Sequence, residues 1–318
     1  MPSIIFFGTS AACPTKARNV SSYAVKLDEG GKTFLVDCGE GTQHQIQKTT
    51  EVSAVKIDAI FITHMHGDHL FGIQGLLASM SLFGRKDPVK VFGPMGLQGY
   101  LDNVMKASVT FLTYPLEVVE LEEKRITPLG NIHGMEVTAY PLKHKVTCFG
   151  FLMEEPMKRG KLDAQKAKQL GATGKDMGLL SAGQDVTLPN GTVIRSVDII
   201  GEPRKGKKLL LLGDTSDSSA TIEHAMECDV VVHEATYDKS LEEKAREGGH
   251  STSTMAGKFA NDIKAKKLII THFSQKYHGL GQDKNNEALT VEDLHREAQA
   301  ECPNTVVIAA EELKKYDI

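Results

Sequence analysis

The sequence predicts an α/β fold in which two β-sheets lie face to face between outer layers of helices. Short β-branched or aromatic segments, bounded by Gly or charged residues, recur along the 318-residue chain. Apolar residues with helical spacing separate several of these segments. Strand-rich halves with interleaved helices are typical of two packed sheets that are covered by helices on both outer faces, an αββα sandwich.

The strand segments follow one another closely before residue 143 and recur after residue 207. We predict strands at residues 3–8, 22–27, 33–39, 58–63, 89–93, 116–121, 135–142, 208–214, 229–235, 267–273 and 305–310. The apolar residues of HLFGIQGLLASMSLFG (69–84) have helical spacing, and a second helix is expected near 95–107. We expect helices also between the strands of the last third.

The stretch from 154 to 207 differs from the rest because it is rich in Lys, Gly and Pro. Its clearest patterns are a short helix, LDAQKAKQL (162–170), and a hairpin around VTLPNGTVI, where Asn-Gly is a strong turn signal. We interpret this stretch as an insertion that projects from a single domain, residues 1–318, and not as a second domain.

Composition is ordinary for a globular protein, with 41% hydrophobic and 25% charged residues. The net charge of −4 excludes a uniformly basic nucleic-acid-binding surface, so any such binding requires a local patch. The five cysteines are widely spaced and include no CxxC pair. The sequence also shows no apolar stretch long enough to span a membrane and no signal-peptide pattern. These observations favour an intracellular protein. We expect a cytoplasmic location, or a nuclear one in a eukaryote.

The segment HMHGDH (64–69) concentrates three of the chain's 12 histidines beside an aspartate. It follows the predicted strand 58–63, so His64 and His66 should point the same way, because side chains in extended chain repeat every two residues. Gly67 permits a turn, after which Asp68 and His69 can point at a neighbouring position. Imidazole and carboxylate groups together suit zinc or another divalent ion, and this spacing predicts two adjacent metal positions.

Further metal-ligating residues stand where other predicted strands end. His144 follows the strand 135–142, Asp214 ends the strand 208–214, and His272 follows KLIIT. His233 and Glu234 lie at the end of DVVVHE. Each would reach one rim of the sandwich, where these side chains would complete a site begun by HMHGDH.

Several segments, in this order along nearly the whole chain, resemble the metallo-β-lactamase superfamily and, within it, the short form of the ribonuclease Z family of tRNA 3′-end processing endonucleases. They are GTSAACPTKARNVSS (8–22), DCGEGTQHQI (37–46), FITHMHGDHLFGIQGLL (61–77), VVHEAT (231–236), GGHSTS (248–253) and THFSQKY (271–277). The resemblance implies an αββα sandwich of the metallo-β-lactamase type with an inserted basic arm, two zinc ions per subunit (manganese or another divalent ion being possible) and a homodimer.

The resemblance also implies a role for each site residue. One metal would be held by His64, His66 and His144, the other by Asp68, His69 and His272, and Asp214 would bridge them. Asp68 would in addition orient the attacking water as the proton-accepting carboxylate. Glu234 and His250 would act beside the leaving oxygen, although a buried pair that only joins two loops is the alternative. The products would be a tRNA 3′ hydroxyl and a trailer 5′ phosphate.

The segment 156–175 carries a local excess of positive charge that favours binding to a phosphate backbone. It resembles the family's flexible arm, which grips tRNA. The candidate tRNA-binding residues are Lys158, Arg159, Lys161, Lys166 and Lys168. A solvated lysine face on a short helix is the alternative.

Two other functions compete with processing of precursor tRNA. A dinuclear hydrolase of the same superfamily that acts on a small phosphodiester or sulfate ester would need the same ligands but no basic arm. An RNA-binding protein without catalysis would be expected to have lost some of the ligands, whereas this sequence retains a complete set.

Overall fold

The computed structural model describes residues 2–27, 31–279 and 289–318. The chain separates into two compact units. The first comprises the residues before 154 and after 207, and we call it the core unit. The second is Glu154–Lys207, which we call the arm. No helix in the described parts of the chain combines the length and the apolar character needed to cross a membrane.

Strands and helices alternate through the described residues. The strands are β1 (Ser3–Gly8), β2 (Ser22–Lys26), β3 (Thr33–Val36), β4 (Ile57–Phe61), β5 (Val89–Pro94), β6 (Leu116–Leu121), β7 (Thr127–Ile132), β8 (Met135–Leu142), β9 (Cys148–Glu154), β10 (Val186–Thr187), β11 (Val193–Ile194), β12 (Lys208–Leu211), β13 (Val230–Glu234), β14 (Lys267–Thr271), β15 (Val306–Ala309) and β16 (Lys315–Asp317). The α-helices are α1 (Thr42–Gln47), α2 (Gly67–Leu70), α3 (Ile73–Leu82), α4 (Leu97–Ala107), α5 (Ala164–Gln169), α6 (Gly174–Ser181), α7 (Ile222–Ala225), α8 (Glu242–Gly248), α9 (Ser253–Asp262) and α10 (Val291–Glu301). Short 3₁₀ helices cover Ala54–Lys56, Ser196–Asp198, Ser219–Thr221 and Lys239–Leu241.

Two seven-stranded sheets form the core unit. Their spatial orders are β16-β1-β2-β3-β4-β5-β6 and β15-β14-β13-β12-β9-β8-β7. Strands β3 to β6 run parallel in the first sheet, and β12 to β15 run parallel in the second. The carboxyl ends of parallel neighbours meet at the same edge of a sheet, so the residues that follow these strands come together there.

The side chains of β1 explain why its four central residues, IIFF (4–7), are all apolar. Ile4 and Phe6 belong to the cluster between the two sheets, whereas Ile5 and Phe7 belong to the cluster under α3 and α4. All four are fully buried, because alternate residues of a strand face opposite sides and here both sides are covered. A third cluster packs β12, β13 and β14 against α9 and α10. The layers are therefore helix, sheet, sheet and helix, which confirms the αββα prediction.

The predicted helical segment 69–84 consists of two helices, α2 and α3. Gly72 lies at the junction, where its amide donates to the carbonyl oxygen of Cys38. A Cβ at this position would come within 2.1 Å of the carbonyl oxygen of Gly39, so only glycine permits the close approach.

Strands β7, β9 and β16 were not predicted from the sequence. Pro and Gly within TPLGNI are unusual in a strand, but β7 is an edge strand, where Pro is tolerated.

The arm has a small apolar core of its own. Ala167, Leu180 and Ile194 are among its buried members, and they come from α5, α6 and β11. The helix predicted at 162–170 is α5, and the predicted hairpin is the antiparallel pair β10–β11. Helix α6 was not predicted from the sequence.

Candidate metal centre

The seven predicted metal ligands form two adjacent groups at the strand ends. His64, His66 and His144 offer ring nitrogens that all lie within 4.8 Å of one another. Asp68, His69 and His272 offer a second set within the same distance. Between the groups lies Oδ2 of Asp214, which is 3.7 Å from Nε2 of His64, 3.5 Å from Nε2 of His69 and 3.4 Å from Nε2 of His272.

The separations between ring nitrogens fit shared metal ions. Nδ1 of His66 is 3.0 Å from Nε2 of His64 and 3.3 Å from Nε2 of His144, and the two Nε2 atoms of His69 and His272 are 3.3 Å apart. Two nitrogens that bind the same zinc ion at about 2.0–2.1 Å lie about 2.8–3.4 Å from each other for bond angles between octahedral and tetrahedral values. The donors present therefore suit divalent metal ions.

Hydrogen bonds on the far side of three rings fix which nitrogen faces the centre. Nδ1 of His144 lies 2.7 Å from the carbonyl oxygen of Gly249 and must donate to it. Nδ1 of His69 donates in the same way to Oδ2 of Asp37 at 2.7 Å, and Nδ1 of His272 lies 2.8 Å from Oγ1 of Thr236. The Thr236 hydroxyl donates to Oε2 of Glu234, so it can accept from His272. When these rings are neutral, each bond places the proton on Nδ1 and leaves Nε2, which points at the centre, free to bind metal.

Asp37 was not recognised from the sequence, although it joins two segments of the centre. Its carboxylate accepts from the amide of Thr63 at 2.8 Å and from the Thr63 hydroxyl at 2.9 Å, besides the bond from His69. The signal that could have identified it is its position directly after β3, the parallel neighbour of β4. Asp214 and His272 were identified by the same kind of position at a strand end.

Three residues at the centre have a left-handed backbone, which is unusual for residues other than glycine. The φ angles are 63° at Ala12, 56° at Asp37 and 60° at His272. Such conformations cost free energy and collect at functional sites, where the surrounding structure maintains them. At Ala12 the conformation accompanies a hydrogen bond of 2.8 Å from its amide to Oδ2 of Asp68.

The electrostatics of the cluster favour a bound cation. Burial, reinforced by the nearby ring of His69, lowers the pKa of His64, so this imidazole stays neutral. Burial acts to raise the pKa of Asp214, but His272 and His69 outweigh it and hold the pKa well below its usual range. A neutral imidazole and an ionised carboxylate are the forms that ligate divalent metals.

Glu234 and His250 form a hydrogen-bonded pair beside the two metal groups. Nδ1 of His250 lies 3.1 Å from Oε1 of Glu234, which also accepts from the amide of Thr215 at 2.7 Å. Burial lowers the pKa of His250, but the charge of Glu234 outweighs burial and raises the pKa to about 9. The His250 side chain is 21% exposed whereas that of Glu234 is 1% exposed, so the imidazole is the member of the pair that faces incoming molecules.

The structure does not bring His233 into the centre, although it stands beside Glu234 at the same predicted strand end. Its Nε2 lies 2.7 Å from the hydroxyl of Ser218, and its ring packs against Phe259. Adjacent residues of a strand point to opposite faces, so only one of His233 and Glu234 can reach the metal groups.

The candidate RNA-binding residues of the arm differ in how available their charges are. Lys158 forms an ion pair of 3.0 Å with Glu155, and Nζ of Lys166 donates to the carbonyl oxygen of Asp198 at 2.9 Å. The remaining three candidates are exposed: Arg159, Lys161 and Lys168.

Comparison with known proteins gives matches along most of the chain. Ribonuclease BN from Erwinia tasmaniensis is 44% identical over 274 residues, which cover 86% of this chain and 89% of that protein. Ribonuclease Z from Prochlorococcus marinus is 39% identical over 308 residues, which cover 95% of this chain and 96% of that protein. The family described as anti-Pycsar protein Apyc1 matches residues 2–158, a segment that includes HMHGDH and His144.

Solved structures agree with these sequence matches. The short form of human tRNase Z has a TM-score of 0.67 and 29% identity, and the match covers 100% of this chain and 99% of that one. YhfI from Bacillus subtilis, a metallo-β-lactamase fold protein, has a TM-score of 0.66 at 16% identity, covers 99% of this chain and 98% of that one, and supports the fold alone. The chain therefore belongs to the ribonuclease Z/ribonuclease BN family, nucleases of the metallo-β-lactamase fold that hydrolyse their substrates.

Proposed function

We propose that the protein is an endoribonuclease that removes 3′ trailers from precursor tRNA. It cuts just after the discriminator base and leaves a 3′ hydroxyl on the tRNA and a 5′ phosphate on the trailer. The observation that carries this proposal is the convergence of seven His and Asp side chains at the strand ends of a chain whose relatives are ribonucleases. The similarity to human tRNase Z supports tRNA as the substrate.

We assign two divalent ions to each subunit, with zinc as the first choice and manganese or another divalent ion as the alternative. His64, His66 and His144 would hold one ion, Asp68, His69 and His272 the other, and Asp214 both. Zinc is supported by the predominance of imidazole over carboxylate ligands. Bound ions at such a site lower the pKa of water and stabilise negative charge on a phosphate.

Asp68 is the residue that we assign to the attacking water. Oδ2 of Asp68 accepts from the amide of Ala12 at 2.8 Å and lies 3.5 Å from Nε2 of His272. These contacts fix the direction of the carboxylate, so that Asp68 can orient a water molecule and accept its proton as the water attacks phosphorus.

His250 is the residue that we assign to the leaving group. Because its Nδ1 donates to Glu234, the other ring nitrogen, Nε2, is left to act on the substrate. A proton donated by Nε2 to the departing 3′ oxygen would neutralise the charge that develops there when the P–O bond breaks. Glu234 keeps the ring in position and stabilises its protonated form.

We propose that residues 154–207 are a flexible arm that binds the tRNA away from the cut. The exposed charges of Arg159, Lys161 and Lys168 support contacts with the phosphate backbone, which depend on charge and not on sequence. The ion pair of Lys158 and the internal hydrogen bond of Lys166 make these two residues weaker contributors.

Deletion of residues 156–175 should abolish processing of precursor tRNA and spare hydrolysis of a small phosphodiester, because the metal ligands all lie outside the arm. The deletion also removes helix α5. The Arg159→Ala/Lys161→Ala/Lys168→Ala variant therefore tests the contribution of the charges while the helix is retained. This triple variant should bind precursor more weakly and reduce the log–log salt slope by about 0.9 for each phosphate that the arm no longer neutralises. A double variant of exposed core-unit lysines, Lys56→Ala/Lys86→Ala, is the matched control. Unchanged precursor affinity in both arm variants would exclude the arm as the RNA-binding element.

We further propose a homodimer in which the arm of one subunit serves the active site of the other, as the family resemblance implies. Exposed apolar side chains near α3 support a protein–protein contact, with Phe71 56%, Leu82 85% and Phe83 57% exposed.

A cytoplasmic location is supported by the five cysteines, which are all free thiols.

Relative rates on two substrates test the proposed function against a small-molecule hydrolase of the same fold. We expect kcat/KM for a precursor tRNA with a 3′ trailer to exceed that for bis-nitrophenyl phosphate by several orders of magnitude, because only the large substrate contacts the arm. A preference for the small diester, or no cleavage of precursor by metal-loaded protein, would contradict the proposal.

A further inference from the structure

Glu312 lies far from every motif in the sequence, between β15 and β16, yet its carboxylate receives hydrogen bonds from three segments of the chain. Oε1 accepts from the amide of Asn19 at 2.7 Å and from the amide of Thr9 at 3.1 Å. Oε2 accepts from the side-chain amide of Gln45 at 2.5 Å. Most side-chain hydrogen bonds in proteins are made to the backbone or to water. A carboxylate that accepts from three separate donors indicates a specific structural contact.

Thr9 and Asn19 are the two ends of one loop, which we call the 9–19 loop. The amides of Thr9 and Ser10 both donate to the carbonyl oxygen of Asn19, at 3.0 and 2.8 Å, so the two ends lie side by side. Glu312 binds both ends at once and thereby holds the loop closed at its base. Within the loop, the left-handed residue Ala12 directs its amide at Oδ2 of Asp68.

The base of the 9–19 loop also contacts the segment that carries His272. The amide of Phe273 donates to the carbonyl oxygen of Thr9 at 2.8 Å. The amide of Ala11 in turn donates to the carbonyl oxygen of Phe273 at 3.0 Å. Movement at the base of the loop would therefore reach Asp68 through Ala12 and His272 through Phe273. Both routes lead to the same group of metal ligands.

We propose that Glu312 is a positioning residue, which closes the base of the 9–19 loop so that the Ala12 amide orients Asp68. The inference rests on the proposed role of Asp68 at the attacking water. Burial raises the pKa of Glu312 to about 7, although the amides of Asn19 and Thr9 oppose this shift. The carboxylate is therefore ionised above pH 7, and the test is made at pH 8, where it can accept from all its donors.

Glu312→Gln at pH 8 is the test, because glutamine keeps the size of the side chain but places an amide nitrogen where an acceptor is needed. A small displacement of a catalytic group can cost up to about 100-fold in rate. We expect kcat to fall about 10- to 100-fold, by the same factor on precursor tRNA and on bis-nitrophenyl phosphate, with the KM for precursor unchanged. Glu312→Asp, which retains the charge, should recover part of the loss. The matched control is Glu311→Gln, because the Glu311 carboxylate forms an exposed ion pair with Lys314.

The outcomes separate this inference from the proposed function. If the wild-type protein fails to cut precursor tRNA, the proposed function is wrong. If the wild type cuts and Glu312→Gln retains its kcat, the positioning role alone is wrong. A Glu312→Gln protein with a lower melting temperature but normal kcat for the folded fraction would also contradict the inference, because it would show a purely structural contact. If Glu312→Gln fails to fold, the kcat of Glu312→Asp is the test of the positioning role. A kcat of Glu312→Asp equal to the kcat of Glu311→Gln would overturn the proposal.

Discussion

His64→Ala should lose bound metal and activity together, on precursor tRNA and on a small phosphodiester alike. His64 is fully buried, and its Nε2 lies within reach of both His66 and Asp214. Removal of residues that merely support metal ligands typically costs about 10- to 100-fold in affinity or activity, so removal of a ligand should exceed about 100-fold. Elemental analysis of purified protein should find about two ions per wild-type chain and fewer in the variant.

His224→Ala is the control for this experiment, because His224 is exposed and outside both ligand groups. It should retain its metal and its rates. Wild-type protein that remained fully active after exhaustive chelation would contradict the metal assignment. So would a His64→Ala protein that loses activity with its full complement of ions, because His64 would then act in some other way.

His250→Ala should keep its metal and its affinity for precursor but lose about 10²- to 10⁴-fold in turnover, the usual contribution of a general acid. His250 lies between α8 and α9, and its ring is held by Glu234, so its loss should leave the two ligand groups intact. A group that acts mainly in the transition state lowers kcat with little change in KM. The defect should shrink on bis-nitrophenyl phosphate, because nitrophenolate leaves without needing a proton.

Asp68→Ala provides the comparison for His250→Ala. In its proposed role Asp68 orients the attacking water and completes one ligand group, so Asp68→Ala should be poor on both substrates. If His250→Ala is depleted of metal, or is equally impaired on both substrates, the leaving-group assignment is wrong. His250 would then belong with the metal ligands, to which Asp214 Oδ2 at 3.7 Å would connect it.

The αββα layers were predictable because strands buried on both faces have consecutive apolar residues, as in IIFF (4–7) and VVV (230–232). The grouping of the seven candidate ligands was expected because HMHGDH, His144, Asp214 and His272 all stand where predicted strands end, at one rim of the sandwich. The prediction tolerated errors in strand length. Strand β4 ends at Phe61 and not at residue 63, yet the rings of His64 and His66 still lie 4.7 Å apart.

Other parts of the site could not be read from the sequence. Nothing distinguishes Glu312 from its neighbour Glu311 except contacts with residues about 300 positions away, which local patterns do not report. His233 and Glu234 are adjacent, and the choice between them depends on which face of β13 points at the centre. Asp37 did carry a usable signal in its place after β3, but its role depends on hydrogen bonds to Thr63 and His69.

Determination of both new ends after cleavage of one precursor tRNA tests the central claim most directly. If the centre activates water for attack on phosphorus, the tRNA must end in a 3′ hydroxyl directly after the discriminator base, and the trailer must begin with a 5′ phosphate. The cut should persist when the 2′ hydroxyl next to it is replaced by hydrogen, because that hydroxyl is not the nucleophile. A 2′,3′-cyclic phosphate on the tRNA, or a cut at a position unrelated to the discriminator base, would contradict the account.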